Sequence, residues 1–233
     1  MRDPADPADR QEEAALESED AAVPHGATRK PPPAGPDRLL RLAFVFYGIL
    51  WGVAWSWRTG LHGESLWFST PDAEIRWLRD ALVGGLAAAG VIAGSSWLTR
   101  RVPAGERLAR ALAETIGPLS PRQAWLLALA SGVGEEALFR GALQPVVGLW
   151  WASLLFAAMH FVPRRDLLLW GAFSLAAGLL LGALYEGTGN LLAPTVAHVV
   201  INGVNLNRLV RDYGARAAPL VPLGSERERS SSR

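Results

Sequence analysis

Residues 122–143 read RQAWLLALASGVGEEALFRGAL, an apolar run long enough to cross a bilayer that nevertheless carries Glu135, Glu136 and Arg140. Two later apolar stretches repeat the pattern. LLFAAMHF (154–161) holds His160, and TVAHVVIN (195–202) holds His198 and Asn202. An ionised side chain near the middle of a membrane helix costs roughly 2.5–3.5 kcal/mol on insertion scales. Polar groups of this kind are tolerated where they face one another across a helix bundle. Acids and imidazoles are also the groups that move protons and activate water. The pattern predicts an all-α, polytopic membrane bundle built round one buried polar site.

Composition agrees with that expectation. The 233-residue chain is 50% hydrophobic and has a mean hydropathy of +0.15 despite a polar segment at each end. Its net charge of +1 argues for neither nucleic acid nor an acidic partner. With no cysteine there is no disulfide framework, thiolate zinc site or thiol nucleophile. Seven of the ten tryptophans (Trp51, Trp55, Trp57, Trp77, Trp97, Trp150 and Trp151) fall at or near the ends of apolar runs, as in an interfacial aromatic belt.

Six stretches suit membrane crossings: residues 39–57, 77–98, 122–143, 146–162, 166–185 and 191–210. The fourth is short and follows Gln144-Pro145, so it starts below the surface or is re-entrant. The segment 59–76 reads as a loop or interfacial turn with a solvated His62. Residues 1–37 are rich in Pro, Ala and acid and lack aromatic side chains, which predicts a disordered tail with an inert His25. They contain no basic region followed by an apolar core, so they do not read as a signal peptide. Residues 213–233 read as a second solvated tail, which leaves 38–212 as the membrane-embedded domain.

Basic residues give an expected orientation. One side of a six-span bundle receives Arg29, Lys30, Arg38, Arg41, Arg100, Arg101, Arg107, Arg110, Arg122, Arg164, Arg165, Arg208, Arg211 and Arg216. The other receives Arg58, Arg76 and Arg79. The positive-inside rule then puts both termini in the cytoplasm. The Arg- and Ala-rich composition further suggests a bacterial inner membrane.

Depth and spacing sort the polar residues. At 1.5 Å per residue, Glu135 lies roughly 12 Å from the outer end of its span, His198 roughly 10 Å from the start of its own, and His160 roughly 18–20 Å along the fourth. All three fall near the midplane of a core about 30 Å thick. Glu136 and Arg140 are four residues apart and can pair along one face as a structural clamp. Glu135 points about 100° away and meets Phe139 at its own i+4, so it is the carboxylate left for chemistry. His198 and Asn202 share a face. A lone histidine on an apolar face is more often a helix–helix contact than a catalyst, but two histidines level with a free glutamate favour chemistry. Gly178 and Gly182 form a GxxxG, which reads as close helix packing.

These motifs resemble the CPBP intramembrane proteases, the family of CAAX prenyl proteases and bacteriocin-processing (Abi) proteins. EExxxR appears as Glu135-Glu136-Ala-Leu-Phe-Arg140, FxxxH as Phe156-Ala-Ala-Met-His160, and HxxxN as His198-Val-Val-Ile-Asn202. The resemblance covers about residues 120–205. It implies hydrolysis of a peptide bond in a protein or peptide substrate at the bilayer. Glu135 with His160 would hold and deprotonate water, and His198 with Asn202 would stabilise the oxyanion. No cofactor is favoured, although Glu135, His160 and His198 also suit zinc, with water in the fourth position. Rival classes are a non-catalytic membrane scaffold of bacteriocin-immunity type and a proton-coupled transporter. Transporters more often show broken helices in two related halves, and no such repeat is evident. A rhomboid-type serine protease lacks support, since Ser131 and Ser153 sit in no GxSx context.

Overall fold

The computed structural model describes residues 35–213. The two predicted tails, with His25, fall almost wholly outside them. Among the described residues every regular element is a helix, and the extended pairing is the single bridge between Phe68 and Asn190. The helices are α1 (Pro36–Trp55), α2 (Trp77–Arg101), α3 (Pro103–Ile116), α4 (Pro121–Glu136), α5 (Gln144–Met159), α6 (Leu168–Thr188) and α7 (Leu192–Tyr213). Wider π turns follow α1 at Ser56–Leu61 and join α4 to α5 at Ala137–Leu143.

Local chemistry explains the boundaries that matter for the site. α4 opens on a capping box: Ser120 Oγ accepts from the Gln123 backbone N–H, and the Ser120 N–H donates to Gln123 Oε1. Pro121 follows at a position where its missing N–H costs nothing. α6 stops at Gly189, whose φ of 77° admits the left-handed cap. α7 is packed against both α2 and α4, α1 lies on α4, and α5 lies on α6.

The side chains are distributed inside out relative to a water-soluble protein. Trp77, Leu78, Leu86, Trp97 and Trp150 are exposed, while Asp80, Glu135, Glu136, Arg140, Asn190 and His198 are buried. In water that arrangement would be unstable; in lipid it is the expected one, because hydrocarbon solvates the apolar outer surface and the polar groups satisfy one another within.

Four helical segments are long and apolar enough to cross a membrane: Asp37–Leu61, Trp77–Arg101, Pro121–Met159 and Leu168–Thr188. Relative to the six predicted crossings, two differences need a physical account. Pro121–Met159 has 39 residues, about 58 Å of helix, nearly twice the hydrocarbon thickness. It is not one crossing, because Gly148 (φ 81°, ψ 167°) breaks it. The chain folds back there, which brings the Phe139 and Phe156 rings to 5.1 Å. The predicted spans 122–143 and 146–162 are thus the arms of a helical hairpin. The second arm, from Gly148 to Met159, rises only about 17 Å, less than the thickness of the hydrocarbon core. α7 is long enough to span but too polar to qualify by composition, since it carries His198, Asn202, Asn205, Asn207 and Arg208. Enclosure by α2 and α4 makes that polarity tolerable.

α3 was not among the predicted elements. It is an amphipathic helix of 14 residues within the segment read only as a basic connection, too short for any search for membrane spans. Gly105, Leu108, Ala109 and Ala113 face inward, with Arg107 and Glu114 outward. Leu108 and Ala111 pack with Leu167 beyond the end of the hairpin.

The GxxxG of α6 packs as expected and has a second use. A Cβ on Gly178 would lie 3.2 Å from the backbone of Ser153, and one on Gly182 would lie 2.3 Å from Leu149. The bare backbone also lets donors in: the Gly178 carbonyl accepts from Arg140 Nη2 at 3.0 Å, and that of Gly182 from Gln144 Nε2 at 3.0 Å.

Candidate active site

The predicted residues converge. Glu135 and Glu136 end α4, Arg140 lies in the π turn, His160 caps α5, and His198 and Asn202 lie one turn apart on α7. Close approach of α4 to its neighbours comes from small residues beside the acids. A Cβ on Gly132 would sit 2.5 Å from Val199, and one on Gly134 would sit 2.8 Å from the Tyr47 carbonyl oxygen. Either would push a neighbouring helix away from Glu135.

Glu136 and Arg140 form the predicted pair, with Arg140 Nη1 donating to Glu136 Oε1 at 2.9 Å and both side chains shut off from solvent. The guanidinium also lies 4.6 Å from the centre of the Phe156 ring, a cation–π contact made stronger by the lack of water. Glu136 does more than clamp Arg140. The same Oε1 accepts from His198 Nδ1 at 2.6 Å, so the ion pair also orients an imidazole of the site.

Glu135 is held differently. Its Oε2 is buried without a hydrogen-bond partner, 3.6 Å from His160 Nε2 and 3.8 Å from His198 Nε2. A buried carboxylate oxygen left unpaired is costly. Here it faces two ring nitrogens across gaps too long for direct hydrogen bonds. His160 Nδ1 lies 2.8 Å from the Phe156 carbonyl oxygen; a carbonyl only accepts, so Nδ1 carries the proton and Nε2 is left as an acceptor in the neutral ring. The Phe156 ring lies 4.5 Å from that of His160 and 5.9 Å from that of His198. The phenylalanine of FxxxH therefore supports the arginine and both histidines.

Asn202 lies a turn beyond His198, and its Nδ2 donates to Ser131 Oγ at 3.1 Å. Ser131 in turn donates to the Ala128 carbonyl. Ser131, dismissed above as a nucleophile, is thus the side chain that fixes the Asn202 amide. His62 takes no part: it is exposed in the loop after α1, edge-on to Trp57 at 5.5 Å.

A cavity of about 730 Å³ extends from Glu135, His160, Ser131 and Asn202 to Arg100, Arg208 and Arg211 at the arginine-rich end of the bundle. Leu108, Leu112 and Ile116 of α3 form one wall, and Trp170 and Phe173 of α6 another. Tyr47 of α1 also lines it. No motif marks Tyr47 in the sequence; it is one aromatic residue among several in an apolar run.

Zinc ligands bonded at about 2.0–2.1 Å in a tetrahedron stand about 3.4 Å apart. The Glu135–His160 and Glu135–His198 separations exceed that. Among the described residues no group of three or more acidic or histidine side chains is placed to hold a metal ion. A zinc on Glu135, His160 and His198 would require those three to draw together.

Residues 118–204 match the family model described as type II CAAX prenyl endopeptidase Rce1-like. The uncharacterized protein YpbD of Bacillus subtilis (strain 168) is 50% identical over 80 residues, which is 34% of this chain and 41% of that protein. The alignment therefore spans less than half of that relative. No solved structure matches. The motifs, the helices that carry them and the matched segment coincide, and over residues 118–204 the chain is similar to the CAAX prenyl endopeptidases that this family model describes.

Proposed function

We propose that the protein is an intramembrane endopeptidase in which Glu135 acts directly as general base on a water molecule. The observation that carries this reading is the buried, unpartnered Glu135 Oε2 facing the Nε2 atoms of two histidines. A water between Glu135 and His160 would donate one hydrogen to each acceptor, which leaves an oxygen lone pair for the scissile carbonyl. As the C–O bond forms, Glu135 takes the proton and later returns it to the leaving amine while the C–N bond breaks. His198 donates through Nδ1 to Glu136, so it needs a second proton on Nε2 to serve the oxyanion. Asn202 Nδ2 is the other oxyanion donor. Substrate would reach the site through the apolar cavity from the arginine-rich side.

Terminal-peptide proteomics of membrane and secreted fractions tests the reading. Cells with the wild-type protein should show processed N- or C-terminal peptides that vanish with Glu135→Gln, and those peptides name the substrate. Identical profiles would favour the scaffold reading. For the metal alternative, purified protein should contain no stoichiometric zinc and keep its activity in chelator. Tightly bound zinc, released by His160→Ala and restoring activity on re-addition, would replace the direct-glutamate mechanism and leave the site assignment standing.

The proposed setting is the bacterial inner membrane with both termini cytoplasmic. The chain has no cysteine, so single cysteines can be labelled without background. Ser65, Arg107 and Gly187 are exposed, whereas a side chain on Gly105 would strike the Leu98 backbone at 2.6 Å. Ser65→Cys and Gly187→Cys should label from outside and Arg107→Cys only from inside. Outside labelling of Arg107→Cys would discard this orientation.

A further inference from the structure

The cavity has two polar ends. One holds Glu135, His160 and Asn202; the other holds Arg100 of α2 and Arg208 of α7. Both arginines bond to the same residue of the cavity wall. Arg208 Nη1 donates to Ser96 Oγ, and Arg100 Nε donates to the Ser96 carbonyl oxygen at 3.2 Å. Among the described residues neither guanidinium has a carboxylate partner. Their neighbours differ in this respect: Arg110 is paired with Glu106 at 2.6 Å and Arg211 with Asp212 at 2.8 Å. The acid at this end of the cavity, Asp212, is thereby committed to Arg211.

Two guanidiniums that share one serine repel each other, and an anion between them relieves that repulsion. Each spends one donor on Ser96 and keeps the rest of a planar fork that suits a carboxylate. Arginines near a bilayer surface usually reach outward to water and lipid phosphate. Arg208 is half-buried and turns across to α2 instead. Between the two ends the walls are apolar, with Leu108, Leu112 and Phe173 among them. Arg208 stands about 9 Å farther along α7 than Asn202, the reach of about three residues of extended peptide. The same charge also excludes. Cytoplasmic flanks of membrane segments are usually rich in Lys and Arg, and two unbalanced guanidiniums at the entrance repel them.

We infer that Arg100 and Arg208 form a carboxylate subsite, which selects an apolar peptide bearing an acidic group about three residues from the bond to be cut. The subsite rests on the proteolytic reading for its consequence, but binding can be measured without cleavage. The probes are synthetic peptides of one apolar sequence, amidated at the C-terminus, with Glu, Gln or Lys at one position near that end. They are titrated against Glu135→Gln protein in phosphatidylcholine nanodiscs. The Glu peptide should bind about 10-fold more tightly than the Gln peptide, as for a charge-assisted hydrogen bond, and the Lys peptide should bind most weakly. This comparison needs no arginine variant, so it stands even where such a variant folds poorly. Adding Arg100→Gln and Arg208→Gln should abolish the preference, and adding Arg208→Glu should turn it toward Lys. A Gln peptide with a free C-terminal carboxylate that matches the Glu peptide identifies the chain terminus as a source of the acid; one that binds like its amidated form identifies the side chain. Equal affinity for the Glu, Gln and Lys peptides overturns the inference, as does a preference that survives loss of both arginines. A preference abolished by phosphatidylglycerol in the nanodisc assigns the arginines to lipid headgroups and overturns it too. Processed termini that persist in cells with Glu135→Gln are a different result, which removes the proteolytic reading and leaves the binding result standing.

Discussion

Glu135→Gln should reach the membrane in normal amounts, melt like the parent protein and lose cleavage by about 10²–10⁴-fold, the usual contribution of a positioned general base. The stability half of this expectation follows from the packing. Glu135 makes no ion pair with arginine, and its Oε2 has no hydrogen bond to lose. A neutral amide of the same shape also removes a buried charge rather than stranding one. The activity half follows from the proposed role of Glu135 and His160 as the two acceptors of one water. His160→Ala should be nearly as damaging, since it removes the second acceptor. Asn202→Ala should leave more turnover, because loss of one oxyanion donor costs about 10²–10³-fold. Rates measured on a quenched peptide copied from the processed terminus will rank the three. A Glu135→Gln protein that misfolds, beside a stable but inactive Glu136→Gln, would exchange the roles of the two acids.

Arg140→Ala should produce the largest loss of stability in the chain, about 3–5 kcal/mol, as for a broken buried ion pair. The guanidinium is fully enclosed and has three partners: Glu136 at 2.9 Å, the Gly178 carbonyl at 3.0 Å and the Phe156 ring at 4.6 Å. Alanine removes all three and leaves Glu136 with a buried charge that His198 alone must meet. Low protein level and an early melting transition in detergent are the expected readouts. Arg140→Lys should be intermediate, because an ammonium keeps the charge but cannot span acid and carbonyl with a planar fork. Glu136→Gln should combine both kinds of damage. It unpairs Arg140 and weakens the 2.6 Å bond that orients His198. A near-normal melt for Arg140→Ala would show that the pair contributes little to the bundle.

The pairing of Glu136 with Arg140 was legible because it is local: four residues on a helix share a face whatever else surrounds them. The membrane class and the buried polar site were legible for a related reason. The cost of a charge in hydrocarbon is so large that Glu135, Glu136, Arg140, His160 and His198 in apolar runs admit few arrangements. The hairpin at Gly148 was only half legible. Gln144-Pro145 signals an interruption, but the reversal depends on one positive φ three residues later. α3 left no sign in a search for long apolar runs, because its inward face matters only once the hairpin and α6 exist for it to cover.

What the sequence determined by itself, then, is the solvent of the fold and the chemical identity of its centre, since transfer energies and i,i+4 spacing are properties of short segments. What the tertiary structure alone decided is which atoms face which. The bond from His198 to Glu136 spans 62 residues, and that from Asn202 to Ser131 spans 71. The approach of α1 at Tyr47 to α4 depends on Gly134, a glycine in another helix. Such contacts arise from the way whole helices pack, and a side chain's local sequence carries no record of the partner that packing brings to it.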